Sequence, residues 1–196
     1  MMAKESSSCA SLVDSTEPSL ELLIEQSKAG SREAFGGLVE RYEKRVFHFL
    51  CRMAGNPHDA EDLTQDTFLK VYQNLHRFNS AQGFSTWLFT IAKRTAFNHF
   101  RGAKRFQELS GPEEVDLEDP AILLQQKDEK ASLWKLAEAL APAQSEALWL
   151  RYGEGFSISE IARILDTSQI RVRVLLHRGR KHLAERLRGA DIQISK

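Results

Sequence analysis

Cysteine is scarce in this sequence: Cys9 and Cys51 are the two in 196 residues. They stand at neither metal-ligand nor redox spacing, so a disulfide framework is not expected and a reducing cytoplasmic setting is. Long apolar runs are missing too. None approaches the ~18 residues a membrane-spanning helix requires, and the first eleven residues lack the apolar core of a secretion signal, so a soluble chain without membrane insertion is expected. Nothing resembles a phosphate-binding loop, a nucleophile–base pair or a metal motif. The chain is accordingly expected to be no enzyme and to carry no cofactor or metal. Net charge is absent as well, with 27 acidic and 27 basic residues.

That zero is a sum of segregated blocks. Residues 106–130 hold Glu108, Glu113, Glu114, Asp116, Glu118, Asp119, Asp128 and Glu129 against Lys127 and Lys130. Residues 169–189 hold Arg171, Arg173, Arg178, Arg180, Lys181, Arg186 and Arg188 against Glu185. Residues 84–105 contain no carboxylate at all. Charge asymmetry of this kind points to a nucleic-acid partner. At 100° per residue, Leu88, Ile91, Ala92 and Thr95 share one side of a helix over 84–105, and Lys93, Arg94, Phe97, Arg101 and Lys104 share the other. Basic side chains neutralise phosphates and an exposed ring stacks on an unpaired base, a combination suited to DNA whose strands are separating. Trp87 borders the apolar side, where core packing outweighs a DNA contact.

The expected fold is all-α: two small helical domains joined by a flexible acidic linker. Residues 1–19 read as a mobile tail, 20–105 as the first domain, 106–129 as the linker, 130–189 as the second domain and 190–196 as a tail. In the first domain a short helix begins at Leu20 and ends near Gly30. Ser31 caps a long helix with apolar residues at helical spacing from Phe35 to Met53, stopped by Gly55-Asn56-Pro57. Over 59–75, Asp59 is expected to cap a helix whose core face is Phe68, Val71, Tyr72 and Leu75. Asp59, Asp62 and Asp66 lie opposite, flanked by Leu63 and Leu69, and read as a docking surface for a basic partner. One surface row of carboxylates near His58 lacks the converging ligands of a metal site.

In the second domain a helix over 121–140 breaks at Ala141-Pro142 and continues to Tyr152. Ser157 to Glu160 is a capping box opening a short helix with Ile158, Ile161, Ala162 and Leu165 inward. Asp166-Thr167-Ser168 turns into a basic helix burying Val172, Leu176, Gly179 and Leu183. This is a helix-turn-helix layout, whose second helix enters the major groove; arginine reads guanine there, and Ile170 and Val174 suit thymine methyls.

With those residues in place, 22–187 resembles the extracytoplasmic-function group of bacterial sigma factors in the sigma-70 family. The resemblance is carried by DAEDLTQDTF at 59–68, FSTWL at 84–88 with Ile91-Ala92-Lys93, Glu160-Ile161-Ala162, and HRGRK at 177–181. It implies a factor that binds core RNA polymerase, directs promoter recognition and −10 melting, and starts transcription. Asp59, Glu61, Asp62, Leu63, Gln65, Asp66 and Leu69 would dock on the clamp helices of the largest subunit, and the second domain would meet the flap of the second largest. Lys93, Arg94, Phe97, Asn98, Arg101, Lys104 and Arg105 would contact the −10 element. Gln169, Arg171, Arg173, Val174, His177 and Arg178 would contact the −35 element. The linker acidity would mimic nucleic acid, and an anti-sigma factor is an expected partner.

The chain departs from the family pattern at Arg94, where asparagine is usual, and at 170–175, where Val174 and Leu175 replace polar contacts. It departs again at Leu140-Ala141 and Ser145. Unusual promoter preferences are therefore expected. Two other readings stand beside this one: a free-standing helix-turn-helix regulator, and a sigma-like mimic that holds an anti-sigma partner.

Overall fold

In the computed structural model, residues 18–110 and 140–194 are described, with side chains placed for 18–101 and 140–188. The expectations for 1–17, for the acidic segment from 111, and for a helix before Leu140 lie outside the described residues. Among the described residues, all regular structure is helical.

Ser19 opens α1 (Leu20–Lys28), its side chain accepting from the Leu22 N–H at 3.2 Å. Leu23 and Ile24 are buried, and Gly30 ends the turn at φ +96°, where a side chain is disfavoured. Ser31 accepts from the Ala34 N–H at 3.2 Å and starts α2 (Arg32–Ala54). The chain divides into two compact units at Leu38–Val39, inside α2.

In the second unit α2 continues through buried Tyr42, Val46, Phe49 and Leu50. Next come α3 (Pro57–Asn74), two single 3₁₀ turns at Leu75–Arg77 and Ser80–Gln82, and α4 (Phe84–Ser110). α3 packs along α4. Trp87 belongs to an aromatic cluster, its ring centroid 5.1 Å from Phe78 and 5.9 Å from Phe84. Tyr42 closes the cluster at 5.3 Å from Phe84, with its hydroxyl 3.0 Å from that of Ser85.

Residues 140–194 supply α5 (Pro142–Leu148), a π-helical turn (Trp149–Gly153), α6 (Ile158–Ile164) and α7 (Gln169–Ile194). α5 and α6 both pack on α7. Contact between α5 and α7 depends on Gly179, where a Cβ would lie 2.9 Å from Leu148 Cδ1 and 3.2 Å from its Cγ.

Several local expectations are corrected. Asn56, not Asp59, caps α3: its side-chain oxygen accepts from the Asp59 N–H at 2.8 Å, and Pro57 fills the first helical position, where a missing N–H costs nothing. Tyr72 is 43 % exposed rather than part of the core. α4 runs past Arg105 to Ser110, because no stop signal precedes Gly111-Pro112. α7 runs past 190 to Ile194, since the roughly 1 kcal/mol cost of Gly189 does not break a long helix. The segment after Leu148 is a π-helical turn, with the Trp149 ring 2.8 Å from where a Gly153 Cβ would sit. In α6 the third inward residue is Ile164, while Ile158 and Leu165 are half-buried.

Gly179→Val forces Leu148 aside in a packed interior. We expect a loss of about 1–3 kcal/mol in chemical denaturation, the range for overpacking; an unchanged midpoint would show that α5 and α7 are not held this closely.

Candidate nucleic-acid interface

Three surfaces carry the residues singled out above. On α3, Glu61, Asp62, Gln65, Asp66 and Leu69 are exposed, Leu69 by 55 %. Leu63 is buried and cannot dock on a partner, a correction that follows from its position on the same side as Ala60 and Thr67. Asp59 is half-buried at the helix start, accepting from the Asn56 side-chain amide at 3.0 Å. Asp62 and Asp66 approach His58 and Lys70 at 3.7 and 3.9 Å, one helical turn away. Such exposed pairs hold their carboxylates weakly and leave them available.

On α4, Arg94, Phe97, Asn98 and Arg101 are exposed together, Phe97 by 58 %. The Arg101 guanidinium lies 5.9 Å from the Phe97 ring centroid, within cation–π range, so the ring presents an apolar surface edged by positive charge. Lys93 does not join them. It is half-buried, and its ammonium donates to Glu146 in α5 at 2.6 Å. The Lys104 and Arg105 side chains lie outside the described residues.

The third surface is the helix-turn-helix of α6 and α7. Ser157 makes the expected capping box: its hydroxyl accepts from the Glu160 N–H at 3.3 Å, and its own N–H donates to Glu160 Oε2 at 2.8 Å. The Ser157 hydroxyl also donates to that carboxylate at 2.6 Å, and Thr86 of α4 donates to Oε1 at 3.0 Å. These bonds, led by the Ser157 hydroxyl, hold the Glu160 carboxyl below its ordinary range against the opposing effect of burial. Asp166 turns the chain at φ +51°, a left-handed conformation that aspartate tolerates. Ser168 then accepts from the Arg171 N–H at 3.2 Å and starts α7. Val172 and Leu176 face inward. Gln169, Arg171, Arg173, His177 and Arg178 are exposed, with Ile170 at 72 % and Val174 at 41 % beside them.

Sequence reasoning missed a fourth set. Arg45 of α2 donates to Glu154 at 2.7 Å, the Arg52 guanidinium lies 4.1 Å from the Trp149 ring centroid, and Phe89 of α4 stacks edge-on against Phe156 at 5.1 Å. Together with Lys93–Glu146 and Thr86–Glu160, these contacts fasten α5, α6 and the segment between them to α2 and α4. Nearby His48 is held below its ordinary range first by burial and then by the Arg52 charge, with Glu154 opposing. These partners lie 53 to 109 positions apart for Lys93–Glu146 and Arg45–Glu154, so no local pattern announces them.

Known proteins share both halves of this arrangement. The Sigma-70 region 2 family matches residues 38–106, and the Sigma-70 region 4 family matches 130–183. The chain is 31 % identical to the ECF RNA polymerase sigma factor SigF of Caulobacter vibrioides, over 90 % of this chain and 98 % of that one. It is equally identical to the RNA polymerase sigma factor CarQ of Myxococcus xanthus, over 88 % and 100 %. The fold is similar to that of the sigma factor RpoE in its co-crystal structure with the anti-sigma factor NepR from Bartonella quintana, with a TM-score of 0.67 and 24 % identity over 80 % of this chain and 98 % of that one.

Ser157→Ala removes the cap and is expected to cost about 1 kcal/mol. Because the folded-state value of Glu160 is depressed, its contribution is present above the unfolded carboxylate range and is lost as pH falls through the folded value. NMR titration of S157A is therefore expected to show the Glu160 carboxyl moving up, with less stability lost on acidification than in wild type. An unmoved titration contradicts the assigned bonds.

Proposed function

From the premise that this chain belongs to the extracytoplasmic-function group of RNA polymerase sigma factors, we propose that it joins core polymerase in the cytoplasm and gives it promoter specificity. The observation that carries the reading is one chain holding both a capped helix-turn-helix with a basic outer face and, on α4, an exposed Phe97 between Arg94 and Arg101. A duplex-binding regulator needs only the first of these. A protein that keeps strands apart needs the second.

The acidic face of α3 docks on a basic surface of core polymerase, the clamp helices of the largest subunit, with Glu61, Asp62, Gln65 and Asp66 supplying charge and Leu69 apolar contact. Residues of the helix-turn-helix half meet the flap of the second-largest subunit. α7 lies in the major groove of the −35 element. Arg171, Arg173 and Arg178 serve phosphates and guanine edges, Gln169 and His177 add hydrogen bonds, and Ile170 and Val174 favour thymine methyls. Phe97 captures an unstacked base of the −10 element once thermal opening exposes it, while Arg94, Asn98, Arg101, Lys104 and Arg105 hold the backbone. No covalent step is involved. The RpoE neighbour was crystallised with an anti-sigma factor, and a protein of that class is proposed as a partner here.

Two variants test the assignments separately. Asp62→Lys with Asp66→Lys is expected to weaken core binding at least tenfold in a mobility-shift titration, with unchanged helicity, since like charges then meet across the interface; undiminished binding contradicts the docking face. Phe97→Ala is expected to leave core binding intact and to lose about 1–3 kcal/mol of open-complex stability, the worth of one base–aromatic stack. Permanganate footprinting reads that loss, and an unaltered footprint contradicts the role of the ring.

A further inference from the structure

Ile170 is the most exposed large apolar side chain among the described residues, at 72 %, and Val174 stands one turn further along α7 at 41 %. Single exposed aliphatic side chains are ordinary, but here two share one face of the second helix of a helix-turn-helix. Val172, Leu176 and Gly179 are buried and fix which way α7 faces. At 100° per residue, Ile170 and Val174 then fall about 40° apart, on either side of the line opposite the buried residues. Arg171 and Arg173 lie on the two flanks, both exposed. The apex of the outward face is thus apolar and its edges are cationic.

In a major groove the edges of such a helix meet phosphates and the apex meets base edges. Both apex residues are β-branched, so each holds essentially one χ1 rotamer in a helix and presents a fixed apolar surface. The apolar group that a base pair shows in the major groove is the C5-methyl of thymine. Cytosine differs from thymine there in two ways, by the missing methyl and by an N4 amino donor in place of the O4 acceptor. Reading that donor calls for an acceptor, and no carboxylate occurs between Asp166 and Glu185. His177, one turn beyond Val174 on the same face, donates or accepts according to its tautomer and accommodates both bases. What the apex distinguishes is the methyl, not the base.

We infer that Ile170 and Val174 read pyrimidine C5-methyl groups, so that 5-methylcytosine satisfies them as thymine does and cytosine methylation within the −35 element raises affinity for the promoter. The inference rests on the proposed placing of α7 in the major groove, and adds a chemical mark to which promoter choice responds. Side chains four apart on a helix have Cβ atoms about 6 Å apart and base pairs rise by about 3.4 Å, so the two methyls lie within about two base-pair steps. Each buried methyl is worth about fourfold in affinity. A second copy of the chain is a poor occupant of this face, since it would set Arg171 and Arg173 against their like.

The test uses holoenzyme reconstituted from the full chain and core polymerase. Duplexes enriched from a library randomised across the −35 element are remade in four forms at each pyrimidine in turn: thymine or uracil opposite adenine, and 5-methylcytosine or cytosine opposite guanine. Competition binding is expected to favour the methylated member of both comparisons about fourfold, at two positions within about two base-pair steps. Ile170→Ser with Val174→Ser is expected to bring both ratios close to one, whereas Val174→Ile, which keeps the apex apolar, is expected to retain them. Equal affinity of wild type for methylated and unmethylated duplexes overturns the inference and leaves the pair to a protein partner. A preference that survives both serine changes belongs to the stiffness of the duplex and overturns it too. Failure to enrich any duplex, with core polymerase or without, overturns the placing of α7 as well. Enrichment by the chain alone contradicts the sigma-factor reading, and the methyl comparison on those duplexes still decides whether the apex reads methyl groups.

Discussion

Phe89 is fully buried between two rings, 5.3 Å from Phe49 of α2 and 5.1 Å from Phe156 beyond the π-helical turn. An aromatic pair of this kind adds about 0.5–1.5 kcal/mol to the area it buries. It also fixes how α4 is oriented about its own axis. At 100° per residue that orientation divides the helix into three sectors. Phe84, Leu88, Ala92 and Thr95 are buried in the first, Thr86, Phe89 and Lys93 meet the second half of the chain, and Arg94, Phe97, Asn98 and Arg101 are left to solvent.

That division has a functional consequence. The exposed sector keeps a ring and two arginines together without a carboxylate, so its field favours a polyanion, and its ring gives a base somewhere to rest. The middle sector binds instead the carboxylates of Glu146 and Glu160. A single helix thus leaves one basic, aromatic face to solvent and turns an adjoining face to the rest of its own chain, with Lys93 on the boundary. The acidic surface of α3 is separate chemistry, suited to a basic protein partner rather than to DNA.

Much of this was legible in the sequence, because it is local. The 3.6-residue spacing of apolar residues gave α2 and α7, the Ser157–Glu160 pair gave the start of α6, and Gly179 gave the close approach to α7. Exposure of Arg94, Phe97 and Arg101 followed from periodicity and charge, whereas Asn98 entered only through the family resemblance. What was illegible is of two kinds. At helix ends several residues compete for one role, and Asn56 with Pro57 outcompetes Asp59 as the cap of α3. Elsewhere the deciding neighbour is distant in the chain. Lys93 looks like any outward lysine until Glu146 is placed beside it, and Leu63 looks like a flank of the acidic face until the helix is rotated by its packing on α4. Tyr72 is the converse, a residue assigned to the core that stands half in solvent, as an amphipathic ring can.

The central claim is that this chain confers promoter choice on a polymerase, and reconstituted transcription tests it most directly. Purified protein and bacterial core RNA polymerase are incubated with a randomised promoter library, and the 5′ ends of the RNA are sequenced. Starts that appear only with the protein, each preceded by common sequences near −10 and −35, are the predicted result. Core polymerase that binds the protein tightly yet gains no protein-dependent start site would contradict it.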